Sequence, residues 1–314
     1  MYKKFSMNNP KDKQLNKCNL CPRDCGKRPG FCGEGFDIRL SRAALHFYEE
    51  PLISGLRGSG AIFFTGCNLK CIFCQNNSIA HNSGGQAITT DRLTEILWEL
   101  KDQGANNINL VTPSHFVPQI AKAISSARDN GFDLPFVYNS SGYDNVNTLR
   151  MLDGLIDVYL PDYKYEDSEL ASKFSFVPDY PAVAKRAIAE MLRQVGNITT
   201  SYSEENNCEL IKNGVIVRHL VLPGHTKNSI SALDYLYETY GENIIYSIMN
   251  QYTPMKNSGV ENYPELQRCV TKREYEKVLN HVFELGITNA FIQEGETMKE
   301  SFIPEFDLTG VRKV

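Results

Sequence analysis

The chain has 314 residues, 42% of them hydrophobic and 22% charged, an ordinary globular makeup with enough length to bury a core without disulfide staples. A net charge of −4 offers no broad basic surface, so no nucleic-acid partner is expected. No apolar run approaches the ~18 residues of a membrane span and the polar stretch 1–17 lacks the apolar heart of a secretory signal, so a cytoplasmic protein with no membrane partner is expected.

Nine cysteines are present, and seven fall into two tight groups, which metal ligation explains better than disulfides. The first group, Cys18, Cys21, Cys25 and Cys32, forms C-x2-C-x3-C-x6-C among Pro22, Gly26, Pro29, Gly30 and Gly33. So few apolar residues accompany it that four thiolates around zinc or an iron–sulfur cluster would have to serve as its core, metal binding then supplying the folding free energy. Residues 1–58 read as this module and a lead-in, with Arg23, Lys27 and Arg28 solvated, His46 structural, and Gly55, Gly58 and Gly60 in turns. Cys208 and Cys269 stand alone and read as inert buried thiols.

Ala61-Ile62-Phe63-Phe64 predicts a short buried strand. Immediately after it come Cys67, Cys71 and Cys74, a C-x3-C-x2-C triplet with Phe73 before its last cysteine. Iron–sulfur clusters usually take four thiolates, so three from one loop either recruit a distant fourth ligand or leave one iron open to a substrate or cofactor. Zinc with a histidine such as His81 as fourth ligand is the alternative.

Beyond the triplet, β-like runs alternate with amphipathic segments, the pattern of βα units around a parallel sheet. Strands are predicted at 62–65, 108–112, 136–139, 156–160, 215–222, 244–249 and 289–293. Helical stripes run through Leu93, Ile96, Leu97 and Leu100; Ile120, Ala123, Ile124 and Ala127; Val183, Ala187, Ile188, Met191, Leu192 and Val195; and Ile230, Leu233, Tyr237 and Tyr240. The last helix opens on a capping-box pattern, Thr271 with Glu274, and carries Tyr275, Val278, Leu279 and Val282. Six or seven parallel strands suit an α/β partial barrel over 59–260, completed by a helix, strand and tail over 261–314.

Parallel barrels bind ligands at the C-terminal ends of their strands. Those ends carry Thr112, Ser114 and His115; Asn139 and Ser140; Asp162 and Lys164, on one side by strand alternation; Arg218, with His219 on the opposite face and His225 on the loop beyond; and Gln251 and Tyr252. A carboxylate and an ammonium leaving a sheet edge together suit a polar pocket, and a buried guanidinium at 218 must be paired, by a ligand carboxylate or by a salt bridge.

The triplet with Phe73 resembles the radical S-adenosylmethionine (SAM) superfamily, over roughly 59–254. The resemblance implies a (βα)6 partial barrel, a [4Fe-4S] cluster on Cys67, Cys71 and Cys74, and SAM chelating the open iron, where an electron from the cluster cleaves it to methionine and a 5'-deoxyadenosyl radical. Asp162-Tyr163-Lys164 and Val217-Arg218 through Pro223-Gly224 resemble the pyruvate formate-lyase activating enzyme-like subgroup, as does the N-terminal Cys-x-x-Cys-Pro-Arg-Asp-Cys-Gly. That likeness implies Lys164 and Arg218 at the SAM carboxylate and a monovalent cation on Asp162 completed by Asn139 and Ser140. An electron donor such as flavodoxin or ferredoxin is expected; the subgroup's motifs imply no substrate, and a glycyl radical enzyme is the first expected target, with a small molecule or a peptide side chain as the alternative. The family's Gly-Gly-Glu is replaced by Thr112-Pro113-Ser114, whose oxygens are candidates to hold the SAM amino group.

Overall fold

The computed structural model describes residues 18–81, 85–255, 258–293 and 303–313. The strands are β1 (Ile38–His46), β2 (Ser59–Phe64), β3 (Gln86–Ile88), β4 (Ile108–Val111), β5 (Phe136–Ser140), β6 (Val158–Pro161), β7 (Thr199–Ser203), β8 (Cys208–Leu220), β9 (Ile245–Met249) and β10 (Ala290–Ile292). The α-helices are α1 (Pro51–Ser54), α2 (Asn77–Ala80), α3 (Thr90–Asp102), α4 (Val117–Asp129), α5 (Val146–Leu149), α6 (Ser168–Ser175), α7 (Tyr180–Val195), α8 (Thr226–Tyr240) and α9 (Lys272–Leu285).

One sheet runs in the order β10-β9-β8-β6-β5-β4-β2-β1-β3, with β7 paired to β8. Its parallel members, β2, β4, β5, β6, β8, β9 and β10, are the seven strands expected from the apolar runs. Such runs are needed because both faces of these strands are covered. On one face Ile62, Phe64, Ile108, Leu110, Phe136 and Tyr138 pack against the helical stripes. On the other, Val137, Val158, Leu160, Ile216 and Ile245 gather around Ile53 of α1 in a separate core.

The second core sits inside a curved sheet. The Glu49 carboxylate meets Asn109 of β4, Asn139 of β5 and Arg218 of β8, although β5 and β6 stand between β4 and β8. On a flat sheet those outer strands would lie about 14 Å apart. The strands therefore wrap into a partial barrel, closed below by α1.

The capping box at Thr271 and Glu274 is present. The α8 stripe is turned slightly from expectation: Ala232, Leu233, Leu236 and Tyr240 are buried, while Ile230 and Tyr237 are only half-buried. The lead-in also differs from its sequence reading, since Ile38–His46 forms β1, antiparallel to β2. The segment 303–313 returns to that strand, Leu308 N donating to Ser41 O and Ala43 N to Thr309 O, and places Phe306 against Phe63 on the inner face. Cys208 and Cys269, expected as buried thiols, are half-buried.

Candidate active site

The cysteine loop leaves β2 through Gly66, whose φ of +77° favours glycine and where a Cβ would stand 2.5 Å from Glu34 Cγ. Backbone and side-chain bonds then fix the loop. Gly66 N donates to Ile79 O and Ile72 N to Phe174 O, and the buried Asn68 donates from Nδ2 to Tyr143 O at 2.7 Å. Cys67, Cys71 and Cys74 line one cavity of about 240 Å³ together with Phe73, Thr112, Asn139, Ser140, Asp162, Lys164 and Arg218.

Thr112 closes β4 with φ +60°, a backbone state rarely taken by a β-branched residue. This reversal turns the chain at the strand end, so Thr112 lines the cavity while Ser114 does not. Ser114 is buried elsewhere and donates to Asp144 Oδ1 at 2.6 Å, which corrects its expected place beside the ligand. His115 packs on Phe116, and its Nε2 lies 2.6 Å from Thr65 O; burial lowers its pKa to about 4, leaving a neutral ring whose Nε2 donates. His219 is turned away as alternation requires, bonded to Tyr163 O and Ser229 Oγ. His225 lies against Phe174 and 3.5 Å from Glu265, outside the cavity. Gln251 and Tyr252 do line it, Tyr252 beside Phe73.

The cavity floor is a charge network. Arg218 donates from Nε to Asp162 Oδ1 at 2.9 Å and from Nη2 to Asn139 Oδ1 at 2.6 Å, and its Nη1 lies 3.4 Å from Glu49 Oε2. Lys164 Nζ donates to Asp162 Oδ2 at 2.5 Å. Asp162 is pushed up by burial, but Arg218 and Lys164 outweigh that and hold it below the usual carboxylate range. Arg218 thus stands in a salt bridge with Asp162 while lining the cavity. Both oxygens of Asp162, the residue to which the resemblance assigns a cation, face side-chain cations in this arrangement. Ser140 is likewise engaged, donating to Asp144 Oδ2 at 2.6 Å.

Glu49 and Glu50 escaped the sequence reading: an acidic pair in a connecting loop carries no signal that it will be inserted beneath a barrel. Burial raises both, and Glu50 reaches about 7, opposed by Arg218 and raised further by Glu49 and Asp162. A carboxyl that titrates higher folded than unfolded contributes its full stability below the ordinary carboxylate pKa and loses it as pH rises through the folded value. Glu50→Gln is therefore expected to match the parent at pH 4 and exceed it at pH 8 by on the order of 2 kcal/mol in urea unfolding. An equal difference at both pH values would refute this account.

The donor set fits an open cluster. The cavity lining holds three thiols and no histidine, and His81 is exposed at the C-terminal end of α2, bonded to Asn77 O. Among the described residues no three His, Cys, Asp or Glu side chains are grouped to hold a single metal ion. A tetrahedral zinc site draws its sulfurs to about 3.8 Å from one another, whereas a multi-iron cube needs them around a space. Burial pushes the Cys71 thiol up to about 11, with Lys164 opposing, so this lysine supplies positive charge where thiolates would gather. Ser175 Oγ, another residue without sequence signal, donates to Cys71 Sγ at 2.9 Å.

A wrapped parallel sheet with three thiols beyond its first parallel strand, above a buried charge network, is the architecture of a cofactor-dependent α/β enzyme. The family model of the Radical SAM superfamily matches residues 61–236, and an uncharacterised protein of Methanocaldococcus jannaschii is 30% identical over 279 residues, 84% of this chain and 74% of that protein. The chain belongs to the radical SAM superfamily. It is thus a radical SAM enzyme, and its family implies a [4Fe-4S] cluster and SAM. Among solved structures it is similar to HydG, a maturase of the [FeFe]-hydrogenase, at 14% identity and TM-score 0.49 over 74% of this chain. It is also similar to methylornithine synthase (PylB), at 14% identity and TM-score 0.47 over 77% of this chain. It spans 51% and 63% of those two structures' own lengths. Among the described residues no helix is long and apolar enough to cross a membrane.

Proposed function

We propose that this chain is an activating-type radical SAM enzyme whose hydrogen donor is a glycine of a protein partner, a glycyl radical enzyme. The cluster and SAM, when bound, supply the 5'-deoxyadenosyl radical. Cys67, Cys71 and Cys74 would hold the cluster, with Phe73 shielding it. Lys164 stands at the cavity wall as a cation for the methionine carboxylate, while Arg218, saturated by Asp162, Asn139 and Glu49, orients Asp162 and Asn139. Thr112 presents oxygens to the ligand's polar groups, and Ser140, bonded to Asp144, lines the cavity beside Asn139. The observation carrying the reading is the convergence of the three thiols with Asp162, Lys164 and Arg218, from loops distant in sequence, in one cavity.

The same proposal includes a cytoplasmic location, a reducing partner such as flavodoxin or ferredoxin, and a second metal centre on Cys18, Cys21, Cys25 and Cys32. The test is anaerobic incubation of reconstituted, reduced protein and SAM with a candidate glycyl radical enzyme. A carbon-centred EPR doublet on the partner, formed together with 5'-deoxyadenosine, is the expected result. Deoxyadenosine without any partner radical across the candidates would transfer the target to a peptide side chain or small molecule and end the activase reading.

A further inference from the structure

Residues 18–37 contain no helix or strand. What order they have is arranged around sulfur. Asp24 N donates to Cys21 O and Gly26 N to Cys18 O, while Phe31 N donates to Cys25 Sγ at 3.2 Å. A Cβ on Gly30 would stand 2.9 Å from that same sulfur, so the chain crosses Cys25 where only glycine fits. Cys21 and Cys32 are buried, and Cys18 and Cys25 are half-buried.

The two arginines between these cysteines are committed to the active-site rim rather than to solvent, which corrects their sequence reading. Arg23 donates from Nε to Asn68 O at 2.8 Å, from Nη1 to Phe176 O at 2.8 Å and from Nη2 to Ser175 O at 3.3 Å, and its guanidinium lies 3.7 Å from the centre of the Phe31 ring. Arg28 donates from Nη2 to His115 O at 3.0 Å. Cys32 O and Glu34 abut Gly66, next to Cys67. A single guanidinium thus joins the N-terminal module to the cysteine loop and to the end of α6, whose Ser175 bonds Cys71.

We propose that Cys18, Cys21, Cys25 and Cys32, which are not grouped around a single metal ion, hold an iron–sulfur cluster that acts as a clasp, its occupancy ordering Arg23 and Arg28 and so fixing the Cys67–Cys74 loop. The proposal deepens the functional reading above, since the loop it steadies is the one assigned to the cluster. A segment with almost no apolar core folds on its metal. With the metal gone, the arginines lose their anchor and the loop loses bonds to Asn68, Ser175, Phe176 and His115.

The test uses the full chain. Metal analysis of protein lacking the triplet, Cys67→Ala/Cys71→Ala/Cys74→Ala, should still find about four iron atoms with the visible absorption of an iron–sulfur cluster; zinc in their place would overturn the cluster. No retained metal would overturn the site, independently of whether the triplet carries its own cluster. In otherwise intact protein, Cys21→Ser/Cys25→Ser should remove that metal and speed amide exchange over 66–76 and 170–177 about tenfold. Arg23→Met should reproduce the faster exchange while keeping the metal, so the clasp remains testable if the cysteine variant fails to fold. Exchange at 66–76 unchanged in Arg23→Met would overturn the clasp.

Discussion

Replacing Cys74 by Ala will abolish 5'-deoxyadenosine production and empty the triplet of iron while leaving the fold in place. The three thiols of the cavity come from one eight-residue loop, and no other thiol or histidine lines the cavity to substitute for a lost ligand. Two thiolates cannot hold a cluster that ordinarily takes four ligands and here receives three from the protein. The fold should survive because Cys74 is only half-buried and lies outside the strands, so its removal leaves little cavity behind. The measurement is iron content after anaerobic reconstitution, with deoxyadenosine quantified after reduction in the presence of SAM and circular dichroism as the control. Because the four-cysteine module is expected to hold its own metal, spectra should be compared with the triple alanine variant. A single variant that kept its deoxyadenosine output would show that the triplet does not host the chemistry.

Arg218→Met will cost about 3–5 kcal/mol of stability at neutral pH. The guanidinium is 16% exposed and serves Asp162 and Glu49, which are 14% and 10% exposed; without it Asp162 keeps only Lys164, and Glu49 keeps only the amides of Asn109 and Asn139. The pH dependence follows from the direction of the Asp162 shift. A carboxyl held below its ordinary value contributes stability that is fully present above about pH 4 and lost as pH falls through the lowered folded value. The variant and parent curves should therefore draw together on acidification, as the carboxylates Arg218 neutralises take up protons instead. Urea unfolding at pH 7 and below pH 4 measures both limits. Adding Glu49→Gln should recover part of the loss at pH 7, because one unpaired charge has been removed; an unchanged or larger penalty in the double variant would refute the network.

The parallel strands were legible because each is an apolar run flanked by turn residues, and α3, α4, α7 and α9 because their stripes recur at helical spacing. β1 was hidden by Arg39, Ser41 and Arg42, which interrupt the alternation of a strand that gains its partners only from β2 and β3. β7 is mostly exposed and carries no apolar face to read. At the site, the cysteines, Asp162, Lys164 and Arg218 were visible as chemistry at strand ends. Ser114 was misplaced because the left-handed turn at Thr112 reverses the side on which following residues emerge, and single-sequence alternation cannot anticipate it. Glu49, Glu50 and Ser175 were missed for a different reason: each acquires its role from an element far away in sequence, Arg218 for the first two and Cys71 for the third.

The segment that brings Phe306 to Phe63 also makes residues 303–313 part of the packing behind the first parallel strand. A version cut before Ile303 would bare Phe63, with Ala61 and Val111 beside it, to water on the inner flank of the cup. Length at this end is thus tied to how dry the apolar layer behind Val111 stays, the one member of this cluster that also lines the cavity.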